Sequence, residues 1–263
     1  MDRRGFLLGT LAGAAGAGIV GSAAIAGAAE WDAGPLPTPA GRPGPSSKAR
    51  QSFAQQGEDI VLYHLLHDWM KLESPTYLDI GAADPVQSNN TYLLYCTGAR
   101  GVLVEPNPAY VAEIRRHRPG DLVVQAGVGP GAAGEADYYV IRGAPTLNTF
   151  SPEQVAMYRK GSPQDPVERV VKMPLVPVNR LIAECLGRAP DLLSIDVEGL
   201  DLDILRTLDF ATYRPAAIIA ETIVMNGGGR DNTGIAGLLL ANGYVARGGS
   251  LYNTIFADPR RYS

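Results

Sequence analysis

Four short apolar runs in this chain each close on a carboxylate. Thr76 to Ile80 contains Asp79 and stops at Gly81, Gly101 to Val104 stops at Glu105, Leu192 to Ile195 at Asp196, and Ala216 to Ala220 at Glu221. Continuous apolar runs of this length fit strands buried on both faces, as in a parallel sheet. Stretches with helical spacing separate them. Gly57 to Met70 carries Ile60, Leu62, Tyr63, Leu66 and Trp69 on one face; Asn89 to Cys96 follows the first run, and Pro108 opens a helix to about His117. Leu122 to Gln125 reads as a third strand, and helices are expected at Asn179–Leu186, about Leu200–Leu208 and about Thr233–Asn242. The alternation predicts an α/β fold with a mostly parallel, doubly wound sheet. Tyr244–Ala246 and Tyr252–Phe256 are expected to pair as an antiparallel hairpin at its edge. Open sheets of this kind take ligands beyond the carboxyl ends of their strands, where the four acidic residues fall.

The chemistry expected there follows from residue types. A carboxylate at the end of the second strand, Glu105, suits a bidentate hydrogen bond to vicinal ribose hydroxyls. Asp79 is expected to face the same crevice, and Gly81, lacking a Cβ, would let the backbone approach a ligand closely. The turn Gly81-Ala82-Ala83-Asp84-Pro85 lacks the second and third glycines of a dinucleotide fingerprint, and Asp84 would repel a phosphate. This favours a cationic sulfonium ligand, S-adenosylmethionine, over NAD. Gly127 to Val178 interrupts the alternation with a β-like piece at Tyr138–Ile141, a Gly/Pro-punctuated stretch around Pro145–Pro166 and an alternating run at Val170–Val178. It reads as an insertion over the carboxyl edge, placed to act as a substrate lid.

The 263 residues, 46% of them apolar, suffice for one α/β domain with extras. Residues 1–29 read as a twin-arginine-type signal or membrane segment, with Arg3-Arg4 ahead of a mildly apolar Ala/Gly stretch and Ala26-Gly27-Ala28 as a cleavage pattern. Residues 30–50 form a Pro/Gly-rich linker, and 51–263 the folded domain. Export, or membrane association through an uncleaved leader, is expected; a misassigned start would leave the protein cytoplasmic. With a net charge of −4 and no basic stripe, a nucleic-acid partner is not expected. Cys96 and Cys185 read as free thiols in buried helices, and without a Cys/His cluster no metal site is expected. His64, His67 and His117 fall on helices at surface or half-buried positions, and no G-x-S-x-G elbow is present.

Several stretches, in order, resemble the FkbM-type methyltransferases. They are Ser52-Phe53-Ala54-Gln55-Gln56-Gly57-Glu58-Asp59, Tyr77-Leu78-Asp79-Ile80-Gly81-Ala82, Ser88-Asn89-Asn90-Thr91-Tyr92, Val104-Glu105-Pro106-Asn107-Pro108 and Leu193-Ser194-Ile195-Asp196-Val197-Glu198-Gly199. Asp209-Phe210 and Arg214-Pro215 ahead of Glu221 complete the set. The resemblance implies a Rossmann-like class I methyltransferase fold and methyl transfer from S-adenosylmethionine, commonly to a hydroxyl on a sugar or polyketide-like small molecule. The chain departs from the family pattern at Ala83-Asp84-Pro85, where Pro85 stiffens the loop, and at Gln125-Ala126-Gly127, which lacks the acidic residue or Asn often found there.

Methyl transfer needs an aligned nucleophile and a base for the hydroxyl proton. Asp196 at a strand end and Glu198 on the turn before Gly199 are the candidate catalytic pair: Asp196 as positioning group, Glu198 as base or acceptor ligand. Asp201 and Asp203 are read as charging a helix N-terminus. The candidate cofactor-binding set is Glu58, Asp79, Gly81, Asn90, Thr91, Glu105 and Asn107. Glu58 serves equally as a helix N-terminal charge, and Asn89, Asn90 and Thr91 equally as a helix cap. The runner-up is an exported, non-catalytic binding protein that keeps this fold, because S-adenosylmethionine is made in the cytoplasm while the leader points outward.

Overall fold

The computed structural model describes residues 51–222 and 234–262. The leader, the linker and the glycine-rich turn Gly227–Gly229 lie outside the described residues. Seven strands form the main sheet: β1 (Thr76–Ile80), β2 (Arg100–Val104), β3 (Leu122–Val124), β7 (Leu192–Ile195), β8 (Ala217–Glu221), β9 (Val245–Gly249) and β10 (Asn253–Ala257). Their order is β3-β2-β1-β7-β8-β10-β9. The first five are parallel, with Leu78 opposite Val102 on one side and Leu193 on the other, while β10 runs antiparallel to both β8 and β9. This is the mostly parallel, doubly wound sheet with the antiparallel edge hairpin expected from the sequence.

Alternation along each strand divides the core between two faces. Leu78, Ile80, Val102, Val104, Leu193, Ile195, Ile218 and Ala220 pack on one side with Val178, Leu181, Ile204, Leu205 and Leu239 from the helices Val178–Leu181, Asp201–Thr207 and Ile235–Ala241. Tyr77, Leu103, Leu192, Ile219 and Ile255 pack on the other side with Leu62, Leu94 and Ile114 from the helices Glu58–Tyr63, Tyr92–Cys96 and Pro108–His117. Two of these helices continue in π-helical form, over His64–Trp69 and Ile182–Leu186.

The insertion folds as a unit of its own. β4 (Gly127–Val128), β5 (Gly134–Ile141) and β6 (Val167–Val176) form a three-stranded sheet in the order β4-β6-β5. Between β5 and β6 a helix spans Pro152–Lys160, inside the Gly/Pro-punctuated stretch, for which the sequence predicts no helix. Its N-terminus is built locally: Ser151 accepts a hydrogen bond from the Gln154 amide (3.1 Å), and Pro152 occupies the first turn. Three other expectations need correction. Cys96 is exposed and only Cys185 is buried, although both thiols are free. His67 is buried, its ring tilted against that of Tyr63 at 4.3 Å between centroids. The helix after β1 begins at Tyr92 and not at Asn89, with Thr91 at its N-cap position, where the hydroxyl donates to Asp79 and makes no capping bond.

Candidate active site

The strand order reverses between β1 and β7, and the carboxyl ends of these strands open the crevice such a reversal produces. The Asp196 amide donates to the Ile80 carbonyl (3.0 Å), so the turn after β7 lies against the turn after β1. Gly81 has a φ of +83°, and a Cβ there would sit 1.9 Å from the Asp196 carbonyl oxygen. The glycine expected to admit a ligand is required first by this backbone contact, while still lining the crevice. A cavity of about 490 Å³, part of it open to solvent, lies here. Gly81, Ala83, Glu105, Tyr110, Asp196 and Glu198 come from the sheet's carboxyl edge, and Tyr138, Asn148 and Phe150 from the insertion that covers it. The covering segment is held by Thr149 pairing with Tyr139 of β5, by the Ile141 amide donating to Asn148 Oδ1 (2.8 Å), and by Phe150 packed on Tyr138.

Glu105 is 4% exposed. Its Oε2 accepts from the Ala83 amide (2.9 Å) and its Oε1 from the Asn107 amide (2.7 Å). Burial pushes the carboxyl up to about 7, outweighing these two amides, and Asp79 adds to the rise. Burial together with Glu105 also raises the Tyr138 phenol well above its usual range.

The turn after β7 is clamped from two directions. Asp201 accepts from the Val197 amide at Oδ1 (3.1 Å) and from the Gly199 amide at Oδ2 (3.3 Å). It does more than charge a helix N-terminus: it is buried, and its carboxyl is raised by that burial and by Asp196. From the insertion, Thr149 Oγ1 donates to the Glu198 carbonyl (2.8 Å) and the Tyr158 hydroxyl donates to Glu198 Oε2 (2.9 Å). Glu198 itself has a φ of +55° and is 9% exposed. A non-glycine residue held in this region costs on the order of 1 kcal/mol and persists only where its surroundings enforce it.

Of the residues singled out in the sequence, the fold gathers Gly81, Glu105, Asp196 and Glu198 around the cavity and places the others elsewhere. Asp79 points to the opposite face from Ile80. There it accepts from Thr91 Oγ1 (2.7 Å), and burial raises its carboxyl while Arg118 partly offsets the rise. Thr91 and Asn89 belong to the same buried cluster around Arg118, and Asn89 Nδ2 donates to the carbonyls of Ala82 (3.1 Å) and Asp84 (3.2 Å). These residues shape the loop after β1 from behind. Asn90 is half-buried in that loop, away from the cavity. Asn107 caps the helix Pro108–His117, accepting from the Ala109 amide (3.1 Å). Glu58 ties the first helix to the edge hairpin, accepting from Ser250 Oγ (2.6 Å), Asn253 Nδ2 (2.8 Å) and the Gln56 amide (2.8 Å). Burial works to raise its carboxyl, but these bonds prevail and hold it below the usual value. Tyr110, Tyr138, Asn148, Phe150 and Tyr158 were not foreseen; Tyr110 sits on the helix Pro108–His117 and the others in the insertion, and none carries a local signal of where its side chain will point.

A model of the Methyltransferase FkbM domain matches residues 79–246, more than half of the 263-residue chain. The chain belongs to the FkbM methyltransferase family. Its main sheet is accordingly a class I methyltransferase sheet, with the insertion added between β3 and β7. Among solved structures it is similar to a methyltransferase FkbM from Methylobacillus flagellatus, at 13% identity and a TM-score of 0.42 over 70% of this chain and 44% of that one. The FkbM chain described here thus spans less than half the length of that protein. It is also similar to an O-methyltransferase from Bacillus cereus in complex with SAH (12% identity, TM-score 0.36, 76% of this chain and 80% of that one). A TehB-like SAM-dependent methyltransferase from Corynebacterium glutamicum matches at 12% identity and a TM-score of 0.35, over 78% of this chain and 88% of that one. No curated protein matches the sequence.

Proposed function

We propose that this FkbM-family protein transfers a methyl group from S-adenosylmethionine to a hydroxyl on a sugar or other small metabolite. The observation that carries the reading is Glu105. It is a buried carboxylate at the carboxyl end of β2, next to the strand β1 that borders the switch point, and each oxygen holds one backbone amide. A carboxylate offers about four acceptor sites, so about two remain for the vicinal hydroxyls of a ribose. The rest of the lining fits the same ligand. Among the described lining residues there is no Lys or Arg to pair with a phosphate, while Asp196 and Glu198 complement a cation and Tyr110, Tyr138 and Phe150 offer flat apolar faces.

When bound, the cofactor supplies a methyl group activated on a positively charged sulfur. The chain's own residues supply the rest. Asp196, on the turn pinned to β1, orients the ligands. Glu198 takes the proton of the acceptor hydroxyl, and the insertion excludes water. Calorimetry with S-adenosylhomocysteine tests the cofactor assignment. Glu105→Ala is expected to weaken binding by roughly 1.5–3 kcal/mol, the worth of hydrogen bonds to a charged group. Because burial raises this carboxyl to about 7, its ionised, acceptor-only form grows as pH rises through that value. Affinity should therefore increase between about pH 6 and pH 8, and that slope should vanish in Glu105→Ala. Unchanged affinity in a folded Glu105→Ala protein would remove the ribose assignment.

We propose further that the domain, beginning near Ser52, is exported by a twin-arginine leader in residues 1–29 followed by the linker 30–50, and meets only small-molecule acceptors. Support comes from Arg3-Arg4 and from Ala26-Gly27-Ala28. Replacing Arg3 and Arg4 by lysine should retain the protein in the cytoplasm, and the exported wild type should begin near Ala29 by mass spectrometry. Intact chain, Met1 included, in the soluble cytoplasmic fraction would contradict export.

A further inference from the structure

The helix Pro152–Lys160 stands outside the methyltransferase sheet, yet it reaches the turn after β7 at three points. At its start, Thr149 Oγ1 donates to the Glu198 carbonyl and itself accepts from the Ser151 amide (2.9 Å), so the helix cap and the Glu198 backbone share one hydroxyl. Ser151 and Gln154 close over Gly199, where a Cβ would meet Gln154 atoms at 3.3 Å. Two turns into the helix, the Tyr158 hydroxyl donates to Glu198 Oε2 at 2.9 Å. On the other side Asp201 holds the amides that flank Glu198. The left-handed backbone of Glu198 is thus enforced from both sides, and the direction of its carboxylate is set by a side chain of the insertion.

We infer that Tyr158 is a positioning residue for Glu198, aiming its carboxylate into the cavity and making the insertion part of the proton-accepting apparatus as well as a cover. The inference rests on the reading of Glu198 as the base. The physical logic is that a phenol O–H donates to the ionised carboxylate and stabilises that form. Tyr158 occupies one of the carboxylate's roughly four acceptor sites, so a substrate hydroxyl can be taken at another. The surrounding ionisable groups make such a donor necessary. Asp196 lies on the turn and Asp201 at the start of the helix that follows it, Glu105 with Tyr110 and Tyr138 lines the same cavity, and no Lys or Arg is among the described lining residues. All of these carboxylates oppose a further negative charge, and Tyr158 is the group from the insertion helix that favours it.

The test uses Tyr158→Phe in the full chain, which keeps the ring and removes the donor. S-adenosylhomocysteine affinity and thermal midpoint are expected to stay close to wild type. With an accepted substrate, kcat at pH values on the acid limb of its profile should fall by about tenfold with little change in KM for the cofactor. The acid limb of the kcat profile should move up by about one pH unit, so that the deficit shrinks at higher pH. A second measurement needs no turnover: carboxyl NMR of protein labelled at glutamate, with the Glu198 signal assigned by its loss in Glu198→Gln. Tyr158→Phe should raise the titration midpoint of that signal by about one unit. An unmoved midpoint overturns the positioning role, as does a kcat loss that is equal at every pH. The same variants separate the two readings. If Glu198→Gln abolishes turnover while Tyr158→Phe leaves the Glu198 titration unmoved, the positioning role fails and the base assignment stands. If Glu198→Gln turns over normally, the base assignment fails, and Tyr158 has no base to position.

Discussion

Glu198→Gln is expected to lower methyl transfer by about 10²–10⁴-fold, the usual contribution of a positioned general base, while S-adenosylhomocysteine binding survives. The substitution preserves size, and its amide oxygen still accepts from the Tyr158 hydroxyl, but it cannot take a proton. The clamps on the turn act largely through backbone: Thr149 on the Glu198 carbonyl and Asp201 on the amides of Val197 and Gly199. The turn should therefore keep its shape in the variant. Asp196→Asn should harm binding and turnover together, since Asp196 lies directly after β7 where its amide meets the end of β1. Near-normal turnover in Glu198→Gln would assign the proton to water or another group. Cofactor binding by the wild type with no turnover across a broad hydroxyl acceptor panel would favour the exported binding protein.

Arg118→Met is expected to destabilise the domain by about 3–5 kcal/mol, measured as a loss in the free energy of urea unfolding. Arg118 is fully buried. Its Nε donates to Asp121 Oδ2 (2.8 Å), and its terminal nitrogens donate to the Tyr77 hydroxyl (2.9 Å), Thr91 Oγ1 (3.0 Å) and Asn89 Oδ1 (3.1 Å). The rings of Tyr77 and Tyr95 each lie 5.3 Å from its guanidinium carbon. Burial raises the carboxyls of Asp79 and Asp121, and the Arg118 guanidinium is the largest influence opposing it at both. Methionine retains the stem but leaves the buried acids Asp79 and Asp121 without a cation, which removes one partner of a buried ion cluster and strands the rest. The effect should extend to the site, because Asn89 also holds the Ala82 and Asp84 carbonyls of the loop that borders the cavity. A loss below about 1 kcal/mol would mean that Asp79 and Asp121 are comfortable as neutral acids and that the guanidinium contributes packing alone.

The parallel sheet was legible because its strands carry their burial on both faces. Thr76–Ile80 and Leu192–Ile195 match β1 and β7 end for end, and Pro108–His117 is the observed helix, opened by a proline and an Asn cap. The insertion was legible as a break in that rhythm but not in its contents. The helix Pro152–Lys160 buries Val155 and leaves most of its surface polar, so no apolar stripe announced it. The helix Pro108–His117 ends in the basic run Arg115-Arg116-His117-Arg118. Nothing local distinguishes Arg118, which is fully buried, from Arg115 and Arg116, which are exposed.

The sequence alone located the parallel strands and the carboxylates at or next to their carboxyl ends, since continuous apolar runs of this length are buried on both faces. It could not settle which way each carboxylate turns. Asp79 stands one residue before the end of β1, and the two-residue period of a strand sends it to the face opposite Ile80, where Arg118 meets it. Glu105 and Asp196 lie just past their strands and enter the cavity. Glu58, read as an even choice between helix charge and ligand contact, is claimed by Ser250 and Asn253 from the far end of the chain. Glu198 acquires its direction from Tyr158 and its backbone from Thr149, forty or more residues away. Periodicity and charge at a strand end are local and can be read in order. The partner that fixes a side chain's direction comes from another element, and only packing brings the two together.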